Sequence, residues 1–253
     1  MQIELLMPYA ITFGLILVRC GGAFMLIPTL GGESIPVQIR GGIAAVVALT
    51  LTPIVGPMEM KGFVALIMAG AGEMLMGLAI GLVLRMILMT AEFAGGIAGL
   101  QMGLSFSQVV DPLTQESSVI LSQAMGMIAL MIMLAVDGHH MVLSGLRDSL
   151  VAAPPGTVLP NGEYVVGLIP LLSVATTTGM RIASPIVVTL LLSYVSIGLL
   201  ARAAPQLNLL VFGFSISILV GLVMLSNAVW PGFSLIADLY QRVPQFFTAV
   251  LGS

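Results

Sequence analysis

The segment EFAGGIAGLQMGLSFSQVVDPLTQE, residues 92–116, is the longest interruption in an otherwise almost continuous apolar chain. It holds four glycines, a Ser-Phe-Ser trio and an Asp-Pro pair, and very apolar stretches flank it on both sides. At membrane depth, irregular backbone is tolerated only where protein buries it or where it lines a water-filled cavity. The segment therefore indicates either a pore, gate or binding site, or a surface loop that joins two membrane spans.

The composition of the whole chain indicates an integral membrane protein. Of its 253 residues, 58% are hydrophobic and 8% are charged. Soluble domains carry about 25% charged residues, so this chain has too few to cover a water-facing surface. The net charge of −3 is small and spread out, which excludes a basic face for nucleic acid. The single cysteine, Cys20, has no partner for an internal disulfide and is expected to pack among its apolar neighbours.

The apolar stretches predict an all-α fold, a polytopic helical membrane protein. The predicted helices are Leu5 to Leu30, Gly41 to Val55, Phe63 to Glu92, Ser117 to Val136, Met141 to Val151, Tyr164 to Thr178, Ile182 to Ala201, Leu207 to Val229 and Phe233 to Leu251. The second is shorter than the roughly 20 residues that cross a bilayer, so it predicts a marginal span or a half-length hairpin arm. Residues 180–230 are expected to form a helical hairpin that ends at Trp230-Pro231.

One linker divides the predicted helices. Residues 152–163, AAPPGTVLPNGE, hold three prolines and two glycines, which mark a break in regular structure. They separate an N-terminal helical part, 1–151, from a C-terminal helical hairpin and tail, 164–253. The segment at 92–116 lies in the centre of the N-terminal part.

Six charged residues lie within or beside apolar stretches, where exposure to lipid is costly. They are Arg19, Glu73, Arg85, Glu92, Arg181 and Arg202. We expect them to be buried at contacts between subunits, where they are paired or face a water-filled lumen. Gly77 and Gly81 continue the helix face that carries Glu73 and Arg85, and small residues allow close approach of membrane helices. This face is therefore interpreted as a helix contact inside an assembly.

The sequence lacks the residue spacings that are typical of metal sites and of enzyme active sites. The two histidines stand side by side in Asp137-Gly138-His139-His140, whereas metal sites on helices use spacings of three or four. We expect a cap or turn there and no metal. The run Gly103-Leu-Ser105-Phe-Ser107 lacks the closing glycine of a nucleophile elbow. The sequence also has no phosphate-binding loop, so we predict that the chain is not an enzyme and carries no cofactor.

A resemblance to a known family covers nearly the whole chain. The run Gly99-Leu-Gln-Met-Gly-Leu-Ser-Phe106, followed by Val110-Asp-Pro112, resembles the signature of the FliR/SctT family, the export-gate membrane proteins of flagellar and virulence type III secretion systems. Further matches follow in the family's order. They are Pro28, Pro36, Arg40, Gly138-His139 and the segment from Gly198 to Asn208 with Arg202 and Pro205-Gln206. Ser215 departs from the pattern, because members often have proline there. The central motif resembles the flagellar members more than the virulence members.

The resemblance implies a fold of kinked helical hairpins, similar to a fusion of two companion membrane proteins that are FliP- and FliQ-like. One copy of this chain would complete a ring-like, right-handed helical assembly with several copies of both companions, alongside larger export-gate subunits and membrane lipid. The assembly would lie in the bacterial inner (plasma) membrane, at the flagellar or injectisome basal body. Unfolded secreted substrate proteins would cross its centre.

The resemblance also implies that residues 92–116 supply a loop that projects into the channel and helps to close it. The matching positions are Gly103, Leu104, Ser105, Phe106, Val109 and Val110, with Met102 as a deformable rim. Apolar side chains at a constriction exclude water and thereby block ions, and the glycines at 95, 96, 99 and 103 would let the loop bend. The other interpretation of Phe106 is packing against a neighbouring helix.

The alternative function is a secondary transporter or small-solute channel, because such proteins share broken helices and buried charges. Residues 1–150 and 160–253 show no inverted repeat, and the buried charges are few. Both observations favour the export gate. A solute-flux assay on the isolated chain separates the two functions.

Overall fold

The computed structural model describes residues 2–28, 35–60, 62–104, 119–157, 163–203 and 209–251. Every strand or helix in these ranges is an α-helix. The helices are α1 (Gln2–Leu26), α2 (Val37–Val55), α3 (Phe63–Gln101), α4 (Val119–Ala135), α5 (Gly138–Ala152), α6 (Glu163–Ala203), α7 (Leu209–Gln241) and α8 (Val243–Leu251). Within these ranges five helices are long and apolar enough to cross a membrane, and α4 and α5, which meet at 68°, form a sixth span if counted together. The predicted all-α membrane fold is confirmed.

Helix α2 is longer than the sequence predicted. It begins at Val37, four residues before the predicted start, and has 19 residues. Pro36 takes the N-cap position with φ −55° and ψ 140°, so the chain turns into the helix directly after it. The predicted start at Gly41 was wrong, because residues 37–40 are helical too, and the choice between a span and a hairpin arm stays a prediction.

Helix α3 continues beyond the point where the sequence predicted its end. Glu92 was expected to begin the loop, but the helix runs on to Gln101 and has 39 residues. Gly95 shows the physical reason, because a Cβ atom there would lie 2.6 Å from the carbonyl oxygen of Leu121 on α4. Its missing side chain allows α3 and α4 to approach closely. The predicted role of Gly95, Gly96 and Gly99 as bending points of a loop was therefore wrong.

Two breaks that the sequence predicted, at residues 179–181 and at Trp230-Pro231, are also helical. Residues 163–203 form the single helix α6 of 41 residues, with Pro185 in its interior. Proline removes the amide that would pair with the Arg181 carbonyl, and the Ser184 hydroxyl donates to that carbonyl at 2.9 Å instead. Helix α7 likewise passes through Pro231, where the hairpin was predicted to end, and reaches Gln241.

The chain forms two compact units, each assembled from separate stretches of sequence. Unit 1 comprises Met1–Met86, Leu134–Leu172 and Tyr240–Ser253, and unit 2 comprises Ile87–Met133 and Ser173–Leu239. In unit 1, α1 packs on α2, and α5 packs on α2 and α8. Unit 2 has a buried apolar core, which consists of Ala98, Met102, Leu121, Ile186, Leu190 and Ala228. The division of the chain at residues 152–163 stays a prediction.

Candidate functional site

Arg19 and Glu73 form a salt bridge inside unit 1. The Nε atom of Arg19 lies 2.6 Å from Oε2 of Glu73, and both side chains are 0% exposed. The guanidinium also donates to the Ser149 hydroxyl at 3.1 Å and to the Ala153 carbonyl at 2.9 Å. The other carboxylate oxygen of Glu73 accepts the Gly156 amide at 3.0 Å. Because several partners share the two charges, neither charge is buried without compensation.

Glycines bring α1 and α3 close enough for this salt bridge. A Cβ atom at Gly77 would overlap the carbonyl oxygen of Arg19, and one at Gly81 would lie 2.5 Å from the carbonyl oxygen of Ala23. From the other side, a Cβ atom at Gly22 would lie 2.8 Å from the carbonyl oxygen of Met74. The predicted helix contact at Gly77 and Gly81 is confirmed, but its partner is α1 of the same chain.

The other four charges of the predicted set lie nearer the surface. Arg85 and Glu92 are half-buried, and Arg181 and Arg202 are exposed. On Glu92, the backbone carbonyl accepts the Ser122 hydroxyl at 2.7 Å, and the side chain occupies the space that Gly126 leaves on α4. Contact with other subunits stays a prediction for these four charges, whereas Arg19 and Glu73 are fully buried and paired within the chain itself.

The end of α3 brings together three of the predicted gate residues. Met102 is fully buried, Gly103 has a φ of 78°, and Leu104 packs against the core of unit 2. Three amides turn back to carbonyls of the last turn. The Met102 amide donates to the Ala98 carbonyl at 2.9 Å, the Gly103 amide to the Leu100 carbonyl at 3.1 Å, and the Leu104 amide to the Gly99 carbonyl at 3.1 Å. This is a Schellman motif, in which a left-handed glycine ends the helix. Met102 therefore lies at the base of the following segment.

Helices α6 and α7 supply further contacts to this base. Tyr194 on α6 donates its hydroxyl hydrogen bond to the Gln101 carbonyl. Ser217 on α7 shares its one hydroxyl proton between the Met102 carbonyl at 3.1 Å and the Phe214 carbonyl of its own helix at 3.0 Å. The sequence analysis missed both residues. A hydroxyl in an apolar helix is the signal for such a role, but α7 carries several serines and their spacing does not single out Ser217.

The predicted closing residues Ser105, Phe106, Val109 and Val110 lie outside the described residues, so their role stays a prediction. The chain resumes at Val119 with α4. Helix α3 therefore precedes the 105–118 segment in the chain, and α4 follows it.

The bend between α4 and α5 carries Asp137, His139 and His140. Asp137 has a φ of 55° and takes the N-cap position of α5, as the prediction of a cap or turn required. The ring centroids of His139 and His140 lie 4.5 Å from each other. Potential ligand atoms of the three side chains lie within 4.8 Å of one another, and all three residues are exposed.

The chain is similar to known bacterial export proteins over most of its length. A sequence model of the family described as "Bacterial export proteins, family 1" matches residues 10–243. The flagellar biosynthetic protein FliR of Escherichia coli is 30% identical over 231 residues, which is 86% of this chain and 88% of that protein. FliR of Caulobacter vibrioides is 28% identical, over 92% of this chain and 94% of that protein. FliR of Bacillus subtilis is 29% identical, over 84% of each.

Proposed function

Because the chain belongs to the bacterial export proteins, family 1, and is a membrane-embedded component of the flagellar export apparatus, we propose that it is a subunit of the export gate. In this proposal it forms, with companion membrane proteins, the channel through which unfolded substrate proteins cross the bacterial inner membrane at the flagellar basal body. The segment from Ser105 helps to close that channel. The chain itself carries out no chemical reaction.

One observation supports the proposal that the segment from Ser105 closes the channel. A membrane-length helix, α3, ends at a buried and capped terminus directly before the segment that starts at Ser105. A polypeptide channel must stop ions yet yield to a chain, and an apolar constriction does so by excluding water. Phe106, Val109 and Val110 are the apolar side chains next in sequence. The fixed end of α3 gives them a defined starting point.

The apolar surface of the chain supports the proposed companions. In the most apolar 18-residue stretch of each helix, only 22% of the residues of α6 and 17% of those of α7 are buried inside the chain. Large side chains such as Leu192 and Leu219 are 64% and 66% exposed. We propose that two companion proteins, FliP- and FliQ-like and in several copies each, cover part of this surface and that lipid covers the rest. We propose that larger export-gate subunits also bind the assembly.

The closing role is tested by Phe106→Ala in the assembled complex. We expect this variant, and more strongly a deletion of residues 105–110, to raise small-ion conductance across vesicles that contain the complex. Phe63→Ala is the matched control, because Phe63 is a 77% exposed aromatic at the other end of α3. Wild-type conductance for the deletion would show that the segment does not close the channel.

The proposed assembly is tested by native mass spectrometry after this chain is co-expressed with the two companion proteins. We expect a defined hetero-oligomer that holds one copy of this chain. A monomer or homo-oligomer without companions would contradict the proposal and favour the transporter or small-solute channel. In that case a solute-flux assay on the isolated chain is the next measurement.

A further inference from the structure

Two backbone carbonyls at the end of α3 accept hydroxyls from other helices. The Schellman motif accounts for the carbonyls as far as Leu100, and the next two are those of Gln101 and Met102. Tyr194 donates to the first and Ser217 to the second. Helix ends must find such partners, and at membrane depth water does not supply them. Because Ser217 is 1% exposed, its bond to the Met102 carbonyl is shielded from solvent.

One face of α7 is shaped to receive this helix end. Phe214, Ser217 and Gly221 follow one another at spacings of three and four, so they share a helix face. A Cβ atom on Gly103 would lie 2.6 Å from Cε1 of the Phe214 ring, and one on Gly221 would lie 2.5 Å from Cγ of Met102. The ring, the hydroxyl and the glycine therefore contact consecutive parts of the same turn.

We propose that Tyr194 and Ser217 are positioning residues of the gate, whose hydroxyls hold the last turn of α3 and so fix where the 105–118 segment begins. This inference rests on the proposed function as far as closure is concerned. Neither residue needs to touch a substrate protein. Tyr194 contributes one neutral hydrogen bond and Ser217 a neutral bond that it shares with the Phe214 carbonyl, and both are much weaker than a charged pair. Such contacts let the last turn of α3 separate from α6 and α7 at modest cost.

The rate at which a cysteine at the end of α3 reacts with a thiol reagent measures how firmly that end is held. Leu104→Cys provides a half-buried reporter thiol, and Cys20→Ala removes the only natural cysteine. In the assembled complex in membrane vesicles, a membrane-permeant maleimide labels the reporter at a rate that depends on local opening. We expect Ser217→Ala to raise that rate about two- to tenfold, Tyr194→Phe to raise it similarly, and the double variant to raise it more.

Two further variants control for the loss of a side chain. Ser226→Ala removes an exposed hydroxyl on the same helix, one that bonds the Val223 carbonyl of α7 itself at 2.8 Å. It should leave the labelling rate unchanged. Ser217→Thr keeps a hydroxyl at the critical position and should label more slowly than Ser217→Ala. Recovery of the complex at wild-type yield shows that each variant has folded.

Ion leak through the same vesicles separates this inference from the proposed function. Faster labelling together with raised leak supports both. Faster labelling at wild-type leak supports the hold on α3 and overturns the closing role of the segment. A wild-type labelling rate in the double variant Tyr194→Phe/Ser217→Ala overturns the positioning role, whatever the leak shows.

Discussion

Unit 1 and unit 2 hold α3 by two different kinds of polar contact. In unit 1 the N-terminal half of α3 is fixed by a fully buried ion pair, Arg19 with Glu73, which further hydrogen bonds surround. In unit 2 the C-terminal end of the same helix is held by neutral hydroxyl–carbonyl bonds and by packing against glycine and an aromatic ring. The helix is thus strongly fixed in one unit and weakly fixed in the other.

The difference shows where the chain is suited to stay rigid and where it is suited to open. Removing one member of a buried ion pair costs about 3–5 kcal/mol, because the other charge is left uncompensated. Losing a neutral hydrogen bond costs about 1 kcal/mol. We therefore infer that Arg19 and Glu73 maintain the scaffold, while the end of α3 opens at a lower cost.

The largest effect is expected from removing one charge of the buried ion pair in unit 1. Glu73→Ala should lower the free energy of unfolding by about 3–5 kcal/mol and reduce recovery of the assembled complex, because Arg19 stays buried without its carboxylate. Thermal denaturation of the purified complex measures the first effect and complex yield the second.

An exposed ion pair in the same unit is the control. Arg147 and Asp148 on α5 lie 2.8 Å apart, with side chains 59% and 58% exposed. Asp148→Ala should change stability by less than about 1 kcal/mol. The double variant Arg19→Met/Glu73→Leu should be more stable than Glu73→Ala, since it removes both charges. Equal losses for Glu73→Ala and Asp148→Ala would contradict the scaffold role.

The sequence predicted that Arg19 needs a partner but not which residue it is. A charge amid an apolar stretch must be compensated, and that rule holds at any position in the fold. Glu73 is 54 residues away, and only the packing of α1 on α3 brings the two together. The class of fold was predictable because apolar stretches of membrane length have few other solutions.

Helix ends were the least predictable part, because membrane helices tolerate glycine and proline in their interiors. Gly95 lies inside α3 where α4 approaches closely, and Pro231 lies inside α7, which continues to Gln241. Gly103 alone of the four glycines in the central segment has the positive φ that ends a helix. The contacts of Tyr194 and Ser217 could not be predicted, since they depend on where α3 ends.

A smaller effect is expected from crowding the helix contact in unit 1. Gly77→Ala places a methyl group against the Arg19 backbone and should destabilise the protein by about 1–3 kcal/mol. Gly70→Ala is the matched control on the same helix, because a Cβ atom there meets nothing within 4 Å. This control should be neutral or stabilising, since alanine favours helix over glycine. Thermal denaturation of the two variants side by side decides whether close packing, rather than glycine itself, matters.

The smallest effect is expected at Gly103, at the end of α3 in unit 2. Gly103→Ala forces an L-residue into a backbone with φ of 78°, which costs about 1–2 kcal/mol, and brings a methyl group against Phe214. The loss should act on the end of α3 and not on the scaffold, so we expect raised ion leak with near-normal recovery of the complex. Gly198→Ala on α6, where a Cβ atom meets open space, should leave the leak unchanged.

The double variant Gly103→Ala/Phe214→Leu separates the two sources of this loss. Leucine shortens the side chain that faces position 103 but leaves φ unchanged, so relief of the leak in the double variant assigns the effect to packing against Phe214. A leak that persists assigns it to the left-handed backbone and thus to the Schellman ending. If Gly103→Ala instead prevents recovery of the complex as strongly as Glu73→Ala does, the end of α3 belongs to the rigid scaffold, and the contrast between the two units is wrong.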